Sequence, residues 1–311
     1  MLAHPASLHQ SGPTRVIPFD LSQHMQIPYP ATSPNLMASF LRICENEVLE
    51  TEACATSQSF YIIRGGGSTD TEHGVITWNE GDLFVLPASE KKMTHSATAD
   101  TAIYWVTDEP LLKYLGVKPN GTKFNVTLFR KERMLAEVER IKHQPGSEHR
   151  NRMGILLGNK ITEDSTKTLT HVLWSLLNVL PAGDAQRPHR HNSVALDLCV
   201  ASEPEGVYTL MGPELDDEGW VKNPIKCQWK TGAVFTTPPG WWYVSVPILH
   251  NLSPHISTHN LLYPHAGIQR ILSVCFYSRH EFRIDNVTVT LTSSQLSHSS
   301  TSHLHFTSFT H

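Results

Sequence analysis

Residues 183–191 read GDAQRPHRH, and the two histidines in it, His189 and His191, stand two positions apart just behind Pro188. In an extended strand side chains alternate between faces, so both imidazoles project one way and Arg190 the other. Two imidazoles so placed can grip one cation. Neutral imidazole suits Fe, Zn, Cu or Ni, and a lasting site needs a third protein ligand and usually a fourth. In a chain with 19 histidines the same spacing also arises by coincidence on a surface, so the surrounding sequence has to decide.

The chain of 311 residues is long enough for two domains, each with its own core. At 40% hydrophobic and 17% charged residues, with many Gly and Pro, it reads as a globular protein rich in strands and turns. The formal net charge is −4 and the basic residues are scattered, so nucleic acid is not an expected partner. The cysteines Cys44, Cys54, Cys199, Cys227 and Cys275 are odd in number and form no C-x-x-C pair. They predict neither a disulfide framework nor a thiolate zinc site, and a reducing compartment fits them best. The opening MLAHPASLHQSGPTRVIPFD lacks the apolar run of a signal peptide, and no apolar stretch is long enough to span a bilayer. A cytoplasmic protein without membrane contact is the expectation.

Residues 1–35 carry Pro, Ser and His without periodicity and read as an arm, wrapped on another surface or mobile. Residues 36–109 alternate short apolar runs with turns, as in SFYIIRGGGST and TAIYWVTDEP, which is strand spacing. Within residues 110–165 the period changes to about 3.6, with Leu128, Leu135, Val138 and Ile141 on one face, and predicts a helical linker. Strand pattern returns over residues 166–242. The order strands, helix, strands describes one β-module built twice, and GDLFVLP (Gly81–Pro87) and GAVFTTP (Gly232–Pro238) repeat the same frame of Gly, five residues, Pro.

Here the chain resembles the cupin superfamily, whose first motif is Gly, five residues, His-x-His, and whose second is Gly, five residues, Pro-x-Gly, two residues, His. Gly183, His189 and His191 match the first, and Gly232, Pro238 and Gly240 match the second. The glutamate that most cupins carry after the second histidine is absent, with Ala195 and Leu196 in its place. Together with RPHRHNSVALDL and VTDEPLLKYLGV, that absence makes the chain similar to the bicupin ring-cleaving dioxygenases, the gentisate 1,2-dioxygenase and 1-hydroxy-2-naphthoate dioxygenase type. The resemblance implies an all-β fold of two cupin barrels (double-stranded β-helix, or jelly roll) joined by a helical linker. It implies Fe(II) held by histidines, with a hydroxylated aromatic carboxylic acid such as gentisate, salicylate or hydroxynaphthoate and O2 as reactants, and assembly into a homo-oligomer.

His189 and His191 are then the metal ligands. By alternation Arg187 shares the face of His189 and is a candidate carboxylate anchor, although pairing with a surface acid serves it equally well. Trp241 and Trp242 are candidate pocket walls, or core. The first module has no His-x-His; His95 is its one candidate relic of a ligand, and the module is expected to be metal-free and structural. The low-complexity end carries a further His-x-His, His303 and His305, without Gly or Pro framing, and it is assigned no metal.

The position of the third ligand holds Tyr243. A phenol with a pKa of about 10 is a poor substitute for imidazole on ferrous iron. Three explanations stand. His250, His255, His259 or His265 folds back to complete the triad; the protein is an inactive cupin that binds a small molecule or a partner; or residues 243–311 are foreign to the family. The last explanation has support in composition, because that segment has no Lys or Trp and crowds Ser, Thr and His. Trp-Tyr-Val-Ser can also be encoded by a stretch containing the splice-donor-like GTATGT, which suggests a retained intron or a shifted frame.

Overall fold

Alternating apolar residues bury both faces of the first large sheet. In the strand Met37–Ile43, Ala38 and Phe40 face one core while Leu41 and Ile43 face another; in Thr101–Thr107, Tyr104 and Val106 oppose Ile103 and Trp105. A sheet apolar on both faces must be covered on both. The computed structural model, which describes residues 2–145, 153–162, 165–180, 187–202, 207–247, 269–276 and 289–292, shows how.

The first module is a six-stranded sheet in the order Thr127–Phe129, Leu83–Pro87, Ser57–Arg64, Thr101–Thr107, Met37–Ile43, Arg15–Pro18. It faces a four-stranded sheet of Val48–Thr51, Met93–Ala97, Gly66–Thr71 and Gly74–Asn79. Phe60, Ile62, Trp78, Phe84 and Met93 fill the space between them. The second module repeats the plan. Its seven-stranded sheet runs Leu2–His4, Val234–Thr237, Ala195–Ala201, Gln269–Phe276, Leu173–Leu180, Met153–Gly158, Val289–Thr292, opposite a three-stranded sheet of Ile225–Gln228, Val207–Gly212 and Trp242–Pro247. Leu180, Val207, Met211, Trp229, Phe235 and Ile271 pack inside it.

The two large sheets share one core. Tyr61, Tyr104 and Val106 of the first join Leu177, Val179, Leu196, Leu198, Leu272 and Val274 of the second, and Met134, Val138 and Ile141 of the helix Lys131–Lys142 complete it. That helix has a period-3.6 buried face, but of the expected Leu128, Leu135, Val138 and Ile141 only the last two lie on it: Leu128 belongs to the strand Thr127–Phe129, and Met134 is buried where Leu135 is only partly so. Its first backbone N–H donates to the buried Asp82, which also accepts from Arg130, so the turn after Gly81 in the first module fixes where the helix starts.

Of the two readings of the arm the wrapped one holds: Leu2–His4 extends the second module's sheet and Arg15–Pro18 the first's, with His9 wedged between them. The His9 Nε2 donates to the Gly232 carbonyl at 3.0 Å while Arg64 donates to its Nδ1 at 2.8 Å. Two boundaries differ from the sequence expectation. The linker is shorter than 110–165, because Met153–Gly158 is already a strand of the second sheet. And the second module continues past Trp242: Gln269–Phe276 lies mid-sheet between Ala195–Ala201 and Leu173–Leu180, with Ile271, Leu272 and Val274 buried. Three apolar side chains carry that strand inside a segment that composition alone marks as foreign.

Candidate metal centre

Register places the candidate ligands. His189 and Tyr243 form an isolated antiparallel bridge, the His189 N–H donating to the Tyr243 carbonyl at 3.0 Å and the Tyr243 N–H to the His189 carbonyl at 2.8 Å. Directly opposed residues present their side chains to one face. A further bond, from the Gly240 N–H to the His191 carbonyl at 2.7 Å, ties the His-x-His segment to the Pro238–Gly240 turn. Gly240 has φ of 76°, a left-handed conformation that suits glycine.

The rings meet accordingly. Ring centroids of His189 and His191 are 5.4 Å apart, and the Tyr243 ring lies 4.2 Å from the first and 5.8 Å from the second. With metal–nitrogen bonds of about 2.1 Å, two imidazoles at that separation can share one ion. Tyr243 is buried in the apolar interior with Met211 and Trp229, and both histidines are half-buried beside it.

The other predicted residues separate. Trp241 packs against the interior cluster that holds Tyr243, whereas Trp242 joins Val221, Val244 and Val246 on the outer face of the small sheet, under the Arg190 guanidinium at 4.7 Å. Arg187 is exposed and stacks over Trp220 at 5.4 Å, which also belongs to that outer cluster. Of the candidates, then, His189, His191, Tyr243 and Trp241 come together, and Arg187 and Trp242 lie apart from them. Gly183, His250, His255, His259, His265, His303 and His305 lie outside the described residues.

The same ladder in the first module gives the matching positions. Thr51 pairs with Met93 as His189 pairs with Tyr243, and Thr69 pairs with His95 as Thr209 pairs with Ser245. The positions matching His189 and Tyr243 are therefore Thr51 and Met93, and His95 sits at the level of Ser245, two residues beyond the ligand position. It is fully buried with both ring nitrogens engaged: Nε2 with the Thr51 hydroxyl at 2.8 Å and Nδ1 with the Thr69 hydroxyl at 2.8 Å. Trp78 Nε1 also donates to the Thr69 hydroxyl at 2.9 Å, and either neutral tautomer of the imidazole leaves both ring nitrogens paired. Burial pushes its pKa down to about 3.

Sequence reading missed the polar lining of the second barrel. Trp229 Nε1 donates to the Thr209 hydroxyl at 2.8 Å, which meets Ser245 at 3.2 Å, the counterpart of the Trp78–Thr69–His95 chain. Cys199, Cys227 and the buried Asp197 lie on the same interior. Burial pushes the Cys199 thiol up to about 12, with Cys227 adding to it, and burial followed by the Asp197 charge lifts Cys227 to about 11. Both remain thiols at neutral pH and are not activated as nucleophiles.

Solved structures of two kinds share this architecture. A mutant of salicylate 1,2-dioxygenase from Pseudoaminobacter salicylatoxidans superposes with a TM-score of 0.60 at 13% identity over 84% of this chain and 76% of that one. A second mutant of the same enzyme, in complex with gentisate, gives 0.59 at 13% identity over 86% and 75%. Oxalate decarboxylase gives 0.54 at 12% identity over 88% and 77%. The chain has the bicupin fold. No protein-family model and no curated protein matches the sequence. Among the described residues no helix is long and apolar enough to cross a membrane.

The cupin fold raises the question of iron, which turns on the donor set. Among the described residues no group of three or more His, Cys, Asp and Glu side chains converges. Among the described residues the second barrel supplies two imidazoles, with a phenol at the third place. These residues would offer ferrous iron two imidazoles, a weaker set than three histidines.

Proposed function

We propose that this bicupin belongs functionally with the Fe(II)-dependent ring-cleaving dioxygenases of hydroxylated aromatic carboxylic acids, with a metal site weakened by Tyr243. The convergence of His189 and His191 on one interior face beside Tyr243 carries the reading. Supporting it are the fold shared with salicylate 1,2-dioxygenase and the apolar walls that Met211, Trp229, Phe235 and Trp241 offer an aromatic ring. The barrel's own residues do the binding. Trp241 and the interior cluster exclude water, and the paired backbone bonds between His189 and Tyr243 hold the first imidazole in place. The first module supports the second through the common core and is structural in this account, its histidine committed to two threonines. A homo-oligomer in a reducing, cytoplasmic setting is part of the proposal.

Tyr243 favours a second reading, a cupin that binds an aromatic acid without turning it over. Oxygen uptake with gentisate, salicylate and 1-hydroxy-2-naphthoate in the presence of added Fe(II) separates the two. Sustained consumption by the wild type, abolished in His189→Ala, supports the enzyme. Binding of the acid without consumption supports the second reading, and neither binding nor consumption removes both.

A further inference from the structure

The two modules and the linker helix leave a cavity of about 170 Å³ at their seam. Ile63 lines it from the first sheet, Met134 and Leu135 from the helix, and Leu177 and Val200 from the second sheet. Three charged residues also reach it: Glu80, Lys131 and Arg270. Lys131 Nζ lies 3.2 Å from Glu80 Oε1, so these two charges offset each other. Arg270 differs. It projects from the strand Gln269–Phe276 where Ala201 and Val179 flank it, and its buried Nε has no acceptor among the described residues. A guanidinium partly withdrawn from water without an acceptor is unfavourable unless an anion accompanies it. Tyr61 completes the wall. Burial drives its phenol well above the ordinary range, opposed only in part by Arg270, so its hydroxyl remains a neutral donor.

The chemistry defines the occupant. One uncompensated guanidinium selects a monoanion with a planar, bidentate acceptor, which is a carboxylate. The lining is mixed, with the charged groups on one side, and the aliphatic part of the wall favours an apolar body there; a cavity of about 150 Å³ has room for a benzene ring. We propose that this seam is a binding site for a small apolar monocarboxylate of benzoate size, its carboxylate on Arg270 and its hydrocarbon on Ile63, Leu177 and Val200. The ligand would touch both sheets and the linker helix together and so lock the two modules against each other. This site is separate from His189 and His191 and does not rest on the ring-cleavage reading.

The test uses benzoate as the probe, which lacks the ortho hydroxyl, and the full chain stripped of metal with a chelator. Calorimetric titration and thermal unfolding are run on the wild type, Arg270→Met, Leu135→Trp and His189→Ala, with circular dichroism confirming that each folds. Wild type and His189→Ala bind one benzoate per chain with a rise in Tm, while Arg270→Met and Leu135→Trp, which fills the cavity, bind about ten-fold more weakly or worse. Benzamide, without the charge, does not bind. If Arg270→Met fails to fold, the Leu135→Trp result decides. The proposal falls if the wild type shows no saturable binding or if Leu135→Trp binds as well as wild type. It falls equally if His189→Ala loses the binding, which would move the anion to the second barrel.

Discussion

His95 makes the first module sensitive to acid, and the size of the effect follows from its surroundings. Both nitrogens are held by threonine hydroxyls, no carboxylate among the described residues pairs with the ring, and burial lowers its pKa from the ordinary 6.5 to about 3. As pH falls below 6.5 the unfolded chain takes up this proton and the folded chain does not. The neutral histidine's contribution is therefore complete above pH 6.5 and is lost as pH drops toward 3. Each pH unit in that window costs about 1.4 kcal/mol, so at pH 5 the loss from this residue is roughly 2 kcal/mol. His95→Gln removes the titration while keeping a donor and an acceptor for the two threonines. Urea unfolding followed by tryptophan fluorescence at pH 7, 6 and 5 gives the stability gap between the wild type and His95→Gln. That gap shifts by about 2 kcal/mol in favour of the variant between pH 7 and 5. A gap constant across the range, or an imidazole NMR titration of His95 near pH 6.5, refutes the reasoning.

Three further outcomes follow from the same packing. Gly232 has φ of 81°, and a Cβ there would come 3.2 Å from His9 Nε2 and 3.3 Å from Ala6 Cβ; Gly232→Ala therefore strains the turn and loosens the arm. The cost is about 1–2 kcal/mol in chemical denaturation. His9→Ala removes the hydrogen bonds from Arg64 and to the Gly232 carbonyl and lowers stability by about 2–3 kcal/mol, with faster proteolysis in residues 1–18. Trp229→Phe leaves the Thr209 hydroxyl without its indole donor and costs about 1–1.5 kcal/mol, read as a drop in urea midpoint.

The duplication was legible in the sequence because turn chemistry and burial impose the same frame twice. Gly81 and Gly232 both take positive φ, 85° and 81°, and Leu83–Pro87 and Val234–Thr237 follow them at matching places in the two sheets. The helix was legible from its period, and the shared direction of His189 and His191 from strand alternation. Alternation also contained the fate of Trp242, since a residue next to the inward Tyr243 must face out. It failed for Arg187, because only His189 in that segment is bridged and parity does not carry through an irregular stretch. Motif spacing did not locate the ligand level in the first module, where Met93 follows Pro87 by six positions while Tyr243 follows Pro238 by five, and His95 stood out only as the histidine nearby. Only the pairing of strands shows that His95 lies two residues past the ligand level. The strands Leu2–His4 and Gln269–Phe276 were hidden for a different reason: their partners are more than sixty residues away, and polar neighbours dilute their apolar signal.

The central claim, that two imidazoles opposite a phenol form a weakened iron site, is tested most directly by iron content. Wild type and Tyr243→His are loaded anaerobically with Fe(II), dialysed and assayed for metal per chain. The account predicts well under one iron per chain in the wild type and close to one in Tyr243→His, lost again when His189→Ala is added. Full retention by the wild type, or no gain in Tyr243→His, contradicts it.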